Sequence, residues 1–134
     1  MRFAFYLMLG FLSLSIHAQS EERPPNFIFI MVDDLGAECI NSYGGSSYST
    51  PRLTELAKSG MQFENCHSMP ICTPSRVKLM TGRSNKKNHV NFAYLHPKEK
   101  TFSQLLKSNG YETLIAGKWQ LGLDAKLPKH FGFD

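Results

Sequence analysis

With 134 residues and a formal charge of +4, the chain has room for one domain with a modest core and none for a second large domain. The positive balance suits an anionic partner, but Lys78, Lys86, Lys87, Lys98, Lys100, Lys126 and Lys129 are scattered and form no dense block, so they read as solvated surface. No basic stripe interleaved with aromatics and no groove-reading helix pattern is present, so no nucleic-acid partner is expected.

The first segment is Met1-Arg2, an apolar run from Phe3 to Ile16 interrupted by Gly10 and serines, then His17-Ala18-Gln19-Ser20. A positive start, a short apolar centre and a small residue before a polar stretch describe a secretory signal; a membrane span needs about 20 apolar residues. Residues 1–18 are therefore read as a signal peptide cleaved after Ala18, and 19–25 as a polar linker. No cysteine closes the apolar run to accept a lipid. The mature chain is expected to be periplasmic or secreted, without a stable membrane anchor. Export permits disulfides, yet Cys39, Cys66 and Cys72 are odd in number and lack zinc-like spacing. Cys39 reads as a small buried apolar residue, and a Cys66–Cys72 bridge is the alternative use of the other two.

Asn26-Phe27-Ile28-Phe29-Ile30-Met31-Val32 is a continuous apolar run rich in β-branched and aromatic residues, the pattern of a strand buried on both faces. Asp33, Asp34 and Gly36 end it, and a Gly/Ser/Tyr loop follows. Thr50 before Pro51 predicts a helix start, with Leu53, Leu56 and Ala57 on one face and Gly60 as terminator. A second strand is expected from Met61 to about Cys66.

Thr73-Pro74 repeats the cap-then-proline signal, so a helix is expected to begin there, with Val77, Leu79 and Met80 facing the core and Cys72 just ahead of its N-terminus. Unpaired N–H groups and the helix dipole favour anionic groups at such a point. Residues 84–97 read as loop. Thr101 and Gln104 form a capping-box pattern before Leu105 and Leu106, and Gly110 ends that helix. Tyr111-Glu112-Thr113-Leu114-Ile115-Ala116 is a third strand candidate, closed by Gly117 and Lys118.

Strands alternating with helices predict an α/β fold around a mainly parallel sheet. Ligands of such sheets bind beyond the carboxyl ends of the strands. Asp33, Asp34 and Lys118 lie there, and Cys72 lies in the connection after the second strand. Asp33 and Asp34 are adjacent carboxylates at a strand end, where a hard divalent cation would offset their repulsion; oxygen ligands suit calcium or magnesium. As a bare pair before Leu-Gly they also fit a turn or cap.

Cys72-Thr73-Pro74-Ser75-Arg76, continuing through Val77, Lys78, Leu79 and Met80 to Thr81-Gly82-Arg83, resembles the signature of the sulfatase family. The resemblance runs from about Asn26 to Asp134. It implies an alkaline-phosphatase-like three-layer sandwich, here truncated, because sulfatases are several times longer and His130-Phe131-Gly132-Phe133-Asp134 resembles an internal segment of theirs. Residues 26–134 are thus expected to be the N-terminal part of a sulfatase catalytic domain, inactive or marginally folded alone.

The resemblance further implies that a maturase oxidises Cys72 to formylglycine, whose hydrated aldehyde is the nucleophile. One hydroxyl attacks sulfur; the other then expels sulfate, which a plain serine cannot do. Asp33, Asp34 and residue 72 would ligate a divalent metal, calcium before magnesium, and Arg76 would hold the diol and the metal-bound carboxylates. Gly117-Lys118-Trp119 resembles the family's Gly-Lys-Trp-His-Leu-Gly segment, whose lysine contacts the substrate sulfate. This chain has Gln120 where that segment has histidine; an amide hydrogen-bonds but does not titrate near neutrality. Trp119 reads as a packing residue, and His67, His89, His96 and His130 as structural or exposed, with His89 and His96 near the site. The expected substrate is a sulfate ester, sulfated polysaccharide included. A related phosphodiesterase or phosphonate hydrolase is the second reading, and a non-catalytic protein that binds sulfated glycans is the third.

Overall fold

The computed structural model describes residues 23–134; the segment expected to be a cleaved signal peptide, residues 1–18, lies outside the described residues. Two compact units divide at Val32 and Asp33. The described part of the first, residues 23–32, carries no strand ladder, and Ile28 and Ile30 are 89% and 80% exposed. The buried strand expected at 26–32 is therefore not formed here.

In the second unit, two 3-10 turns, Ala37–Cys39 and Asn41–Tyr43, precede α1 (Pro51–Ser59), α2 (Cys72–Thr81), α3 (Asn85–Asn88), α4 (Phe102–Ser108) and α5 (Leu127–His130). Residues 61–66 and 111–116 also lack a ladder. A strand is completed by hydrogen bonds to a neighbour in register, and among the described residues the three apolar segments form no such ladder; the strands expected at 61–66 and 111–116 are not formed here, and Leu114 stands 81% exposed.

The helices follow their caps with informative departures. Pro51 opens α1 as expected, but the Thr50 hydroxyl caps nothing; it accepts from the Asn41 amide at 2.9 Å and so ties the helix start to the second 3-10 turn. An open apolar cleft of about 400 Å³ separates these two elements, lined by Ile40, Tyr43, Leu53, Leu56 and Met61 among others. Residues 84–97 are not wholly loop, since Asn85–Asn88 form the single turn α3. Thr101 and Gln104 do form the reciprocal capping box of α4, satisfying two otherwise orphaned N–H groups.

The core of this unit consists of Val77 and Met80 from α2 with Leu95, Leu121, Phe131 and Phe133, and Trp119 and Leu127 pack against it. Trp119 is thus a packing residue, its ring 5.8 Å from Phe131 and 6.2 Å from Phe133. The segment after α5 is fastened to α4. The Phe131 carbonyl accepts from Thr101 and Ser103 hydroxyls at 2.7 and 2.6 Å. Gly132 has φ +100, and a β-carbon there would lie 2.6 Å from the Gln104 nitrogen. Only glycine allows this approach.

Candidate active site

Helix α2 begins at Cys72 with Ile71 as its N-cap, not at Thr73. The Thr73 hydroxyl is committed elsewhere: it is fully buried and accepts from the Ala93 amide at 2.9 Å. Pro74 then falls in the first turn, where its missing N–H costs nothing. Cys72 accordingly sits in the first turn of a ten-residue helix, partly exposed and free, as are Cys39 and Cys66. The alternative Cys66–Cys72 bridge is not formed, and Cys39 is only partly buried.

Three polar side chains that the pattern of the signature did not single out fix this turn. Besides Thr73, the buried Ser75 hydroxyl accepts from the Met69 amide at 2.9 Å, and Asn85 donates to the Pro74 carbonyl at 2.8 Å. The only sequence signal for them is that Thr73 and Ser75 flank Pro74 on a helix start. At the far end, Gly82 in the left-handed region closes α2, its N–H donating to the Lys78 carbonyl at 2.8 Å. Thr81 donates back to Val77 at 2.7 Å.

Arg76 joins the two remote chain segments of the site. Its Nη1 donates to the Lys118 carbonyl at 2.5 Å, and its Nη2 lies 3.4 Å from Asp33 Oδ2. The Lys118 ammonium pairs with the same Asp33 oxygen. Hydrogen bonding from Lys118 holds the Asp33 carboxyl below its ordinary range, against partial desolvation and with the charges of Lys118 and Arg76 assisting. That hydrogen bond also raises Lys118, to which Cys72 contributes electrostatically. Four expected residues, Cys72, Arg76, Lys118 and Asp33, therefore share one electrostatic neighbourhood.

Asp34 and Gln120 both have positive φ, 55 and 51. The Gln120 Oε1, Trp119 Nε1, Arg76 Nε and His89 Nδ1 are buried atoms without a hydrogen-bond partner. Among the described residues, no hydrogen bond or ion pair joins Asp34 or Gln120 to the Arg76 cluster. His130 contacts the Pro97 carbonyl at 2.9 Å through Nε2, and His96 Nδ1 accepts from the Lys98 amide at 3.2 Å; both serve local structure.

The donor set bears on a metal. Asp33 and Asp34 offer the hard oxygens that calcium or magnesium takes. Among the described residues no group of three or more His, Cys, Asp or Glu side chains is placed to hold an ion. The carboxylates thus fit a divalent cation in kind and supply part of the six to eight oxygens that calcium collects.

These features, a cysteine at a helix start facing an arginine–aspartate–lysine cluster, agree with what comparison finds. The sulfatase family model matches residues 25–134. Arylsulfatase A of Bos taurus is 40% identical over 82% of this chain and 24% of its own, and steryl-sulfatase of Mus musculus is 36% identical over 84% and 21%. N-acetylglucosamine-6-O-sulfatase of Bacteroides thetaiotaomicron is 35% identical over 86% and 22%. A solved structure described as a complex with its substrate, D-glucosamine-2-N,6-O-disulfate, superimposes with a TM-score of 0.73 and 32% identity, covering 84% of this chain and 22% of that one. The chain belongs to the sulfatase family. Its fold is the corresponding part of the alkaline-phosphatase-like sandwich, and it spans about a fifth to a quarter of the length of the relatives it matches. The family generally carries a formylglycine and a divalent metal.

Proposed function

We propose that this chain contributes the nucleophile and anion-binding half of a sulfuric ester hydrolase. The observation that carries the reading is the convergence of Arg76 and Lys118 on Asp33 beside Cys72. Oxidised by a maturase to formylglycine, residue 72 supplies a hydrated-aldehyde hydroxyl as nucleophile; Asp33, Asp34 and residue 72 would form part of the hold on a calcium ion, which would supply positive charge for the sulfuryl oxygens.

The chain's own residues do the rest. Arg76 is the fixed element: its side chain is 11% exposed and anchored at two points. It presents a planar, permanently charged fork to the diol and to Asp33. Lys118, 47% exposed, has a flexible stem that reaches the substrate sulfate and stabilises negative charge there. Gln120 donates or accepts a hydrogen bond without exchanging a proton at neutral pH. The relatives named for aryl, steryl and amino-sugar sulfates support a sulfate ester as substrate, and the neighbour solved with a sulfated glucosamine supports a sulfated polysaccharide. The N-terminal pattern supports export to the periplasm or beyond by a cleaved signal, without a membrane anchor; among the described residues no helix is long and apolar enough to cross a membrane.

Co-expression with a formylglycine-generating enzyme, followed by peptide mass spectrometry across residue 72, tests the reading. The expected product is the aldehyde at residue 72, absent from Cys72→Ala. An unmodified thiol in the wild-type chain would refute it. Binding of sulfate in preference to phosphate separates a sulfatase from a phosphodiesterase.

A further inference from the structure

Lysines that are scattered in the sequence are gathered by the fold. Between Val77 and Lys100 stand six cations, Lys78, Arg83, Lys86, Lys87, Lys98 and Lys100, and a single acid, Glu99. The surplus is five positive charges where the whole chain has +4, so the remainder of the sequence is net negative. All six cations are exposed, and side-chain contacts bring their segments to one end of α2. Arg83 donates twice to the Glu99 carboxylate, at 2.9 and 2.7 Å, which draws Lys98 and Lys100 beside the helix end. Asn85 and Asn88 donate to the Pro74 carbonyl and the Thr81 hydroxyl, both at 2.8 Å, and so fasten α3, which carries Lys86 and Lys87, to α2. Glu99, only 12% exposed, is committed to Arg83, and among the described residues none of the five lysines forms an ion pair. The negative end of the α2 dipole offsets cations within its last turn but gives no reason to bring Lys98 and Lys100 from a later segment.

We infer that this basic patch is a docking surface for a linear polysulfated glycan, separate from the sulfate-binding residues near the other end of α2. Helix α2 is the spacer: its ten residues set the patch roughly 15 Å from Cys72. A single sulfated sugar is too short to touch both ends, whereas a polymer places one sulfate ester at residue 72 and others on the lysines. Clustered like charges raise the local concentration of anions, and lysines on flexible stems hold a polyanion as point charges without demanding one geometry. That the polymer is sulfated rests on the site reading above; the patch adds to it a preference for polymer over monomer.

The test uses the 134-residue chain, a fluorescent heparin octasaccharide as polymer probe and glucosamine 6-sulfate as monomer, with affinities read by fluorescence anisotropy and calorimetry. Lys86→Ala with Lys98→Ala takes one charge from each side of the Arg83–Glu99 bridge. It is expected to weaken octasaccharide binding about three- to tenfold, mid-range for two exposed charge contacts, and to leave monosaccharide binding unchanged. Arg52→Ala with Lys58→Ala removes the same charge from α1 and is expected to weaken octasaccharide binding less. Equal losses from the two double variants would mean diffuse attraction to net charge and overturn the patch. Lys118→Gln is expected to release the monosaccharide and keep the octasaccharide; release of both overturns the patch as a separate surface. Equal binding to a hyaluronate octasaccharide, which carries carboxylates only, or tighter binding to a DNA duplex overturns the assignment to a sulfated glycan. Every substituted side chain is exposed or half exposed, and unchanged Trp119 fluorescence shows that each variant keeps its core. Octasaccharide binding that depends on Lys86 and Lys98, with no monosaccharide bound by any variant or by wild type, supports the patch and overturns the site reading alone.

Discussion

Phe131→Ala should disable the site from the far side of the core. Phe131 is 0% exposed, and an aromatic side chain buries about 150–250 Å². At about 25 cal/mol per Å² its transfer contributes about 4–6 kcal/mol, of which alanine keeps the β-carbon share. Adding the unfilled cavity, the expected loss is about 3–5 kcal/mol, a large part of the 5–15 kcal/mol typical of a domain. Phe131→Leu fills most of that space and should cost roughly 1–2 kcal/mol. The loss reaches the site because Trp119, whose ring lies 5.8 Å from Phe131, directly follows Lys118. Trp119 is the chain's single tryptophan, so urea unfolding followed by its fluorescence reports stability and core packing together. Phe131→Ala should lower the midpoint and shift native emission to the red, with the leucine variant between it and wild type. An alanine variant within about 1 kcal/mol of wild type, with unchanged native emission, would refute the placement of Phe131 at the centre of this core.

Gly132→Ala should cost about 2–4 kcal/mol, combining left-handed backbone strain with a clash against the α4 backbone; a thermal midpoint equal to wild type would show that φ there is not positive. Thr101→Ala removes both the α4 cap and a buried donor to the Phe131 carbonyl, with an expected loss of about 1–2 kcal/mol in denaturant unfolding. Asp134 is held below its ordinary carboxyl range chiefly by hydrogen bonding from Lys107, then by the Thr113 amide. A depressed folded-state pKa contributes stability above the unfolded value near 4 and loses it as pH falls through the folded value. Asp134→Asn should therefore lower stability at pH 7 and flatten its acid dependence below about pH 4; an unchanged acid limb would refute the Asp134 contacts. Ile28→Lys with Leu114→Lys, both at sites more than four-fifths exposed, should reduce concentration-dependent light scattering, since bare apolar segments associate; scattering equal to wild type would remove these segments as the cause.

Local chemistry made the sequence legible where one residue decides the outcome. The capping box at Thr101 and Gln104, Pro51 in the first turn of α1 and Gly60 at its end are read directly because each satisfies or avoids a backbone group next to it. The apolar runs at 26–32 and 111–116 read as sheet sequence, but pairing is a property of two strands, and among the described residues no strand ladder forms there. Thr73 shows the limit in the other direction. Its cap-then-proline pattern predicted a helix start, yet a distant amide, that of Ala93, claimed the hydroxyl and the helix began one residue before it. Among the site residues, Cys72, Arg76, Lys118 and Asp33 come together, whereas the shared Asp33 oxygen could not be read from residues so far apart in the chain.

Backbone conformation gives a separate indication of where function lies. Among the described residues, positive φ falls on six glycines and on Asp34, Ala93 and Gln120. For glycine the conformation costs little, but for other residues it is strained, by about 1–2 kcal/mol in the general case and less for aspartate. All three non-glycine cases border the candidate site. Asp34 adjoins Asp33, Gln120 lies two residues beyond Lys118, and Ala93 is held by the hydroxyl of Thr73, the neighbour of Cys72. Such strain persists only where surrounding structure over-determines it; Ala93 is fixed by the buried Thr73 hydroxyl, and Asp34 and Gln120 adjoin residues that are themselves held, Asp33 by Arg76 and Lys118 and Trp119 by its packing on Phe131. A glycine at position 120 would relieve the backbone but remove the amide, so Gln120→Gly separates the two effects: a gain in thermal midpoint is the expected result, and an unchanged midpoint would show that the positive φ of Gln120 is not strained.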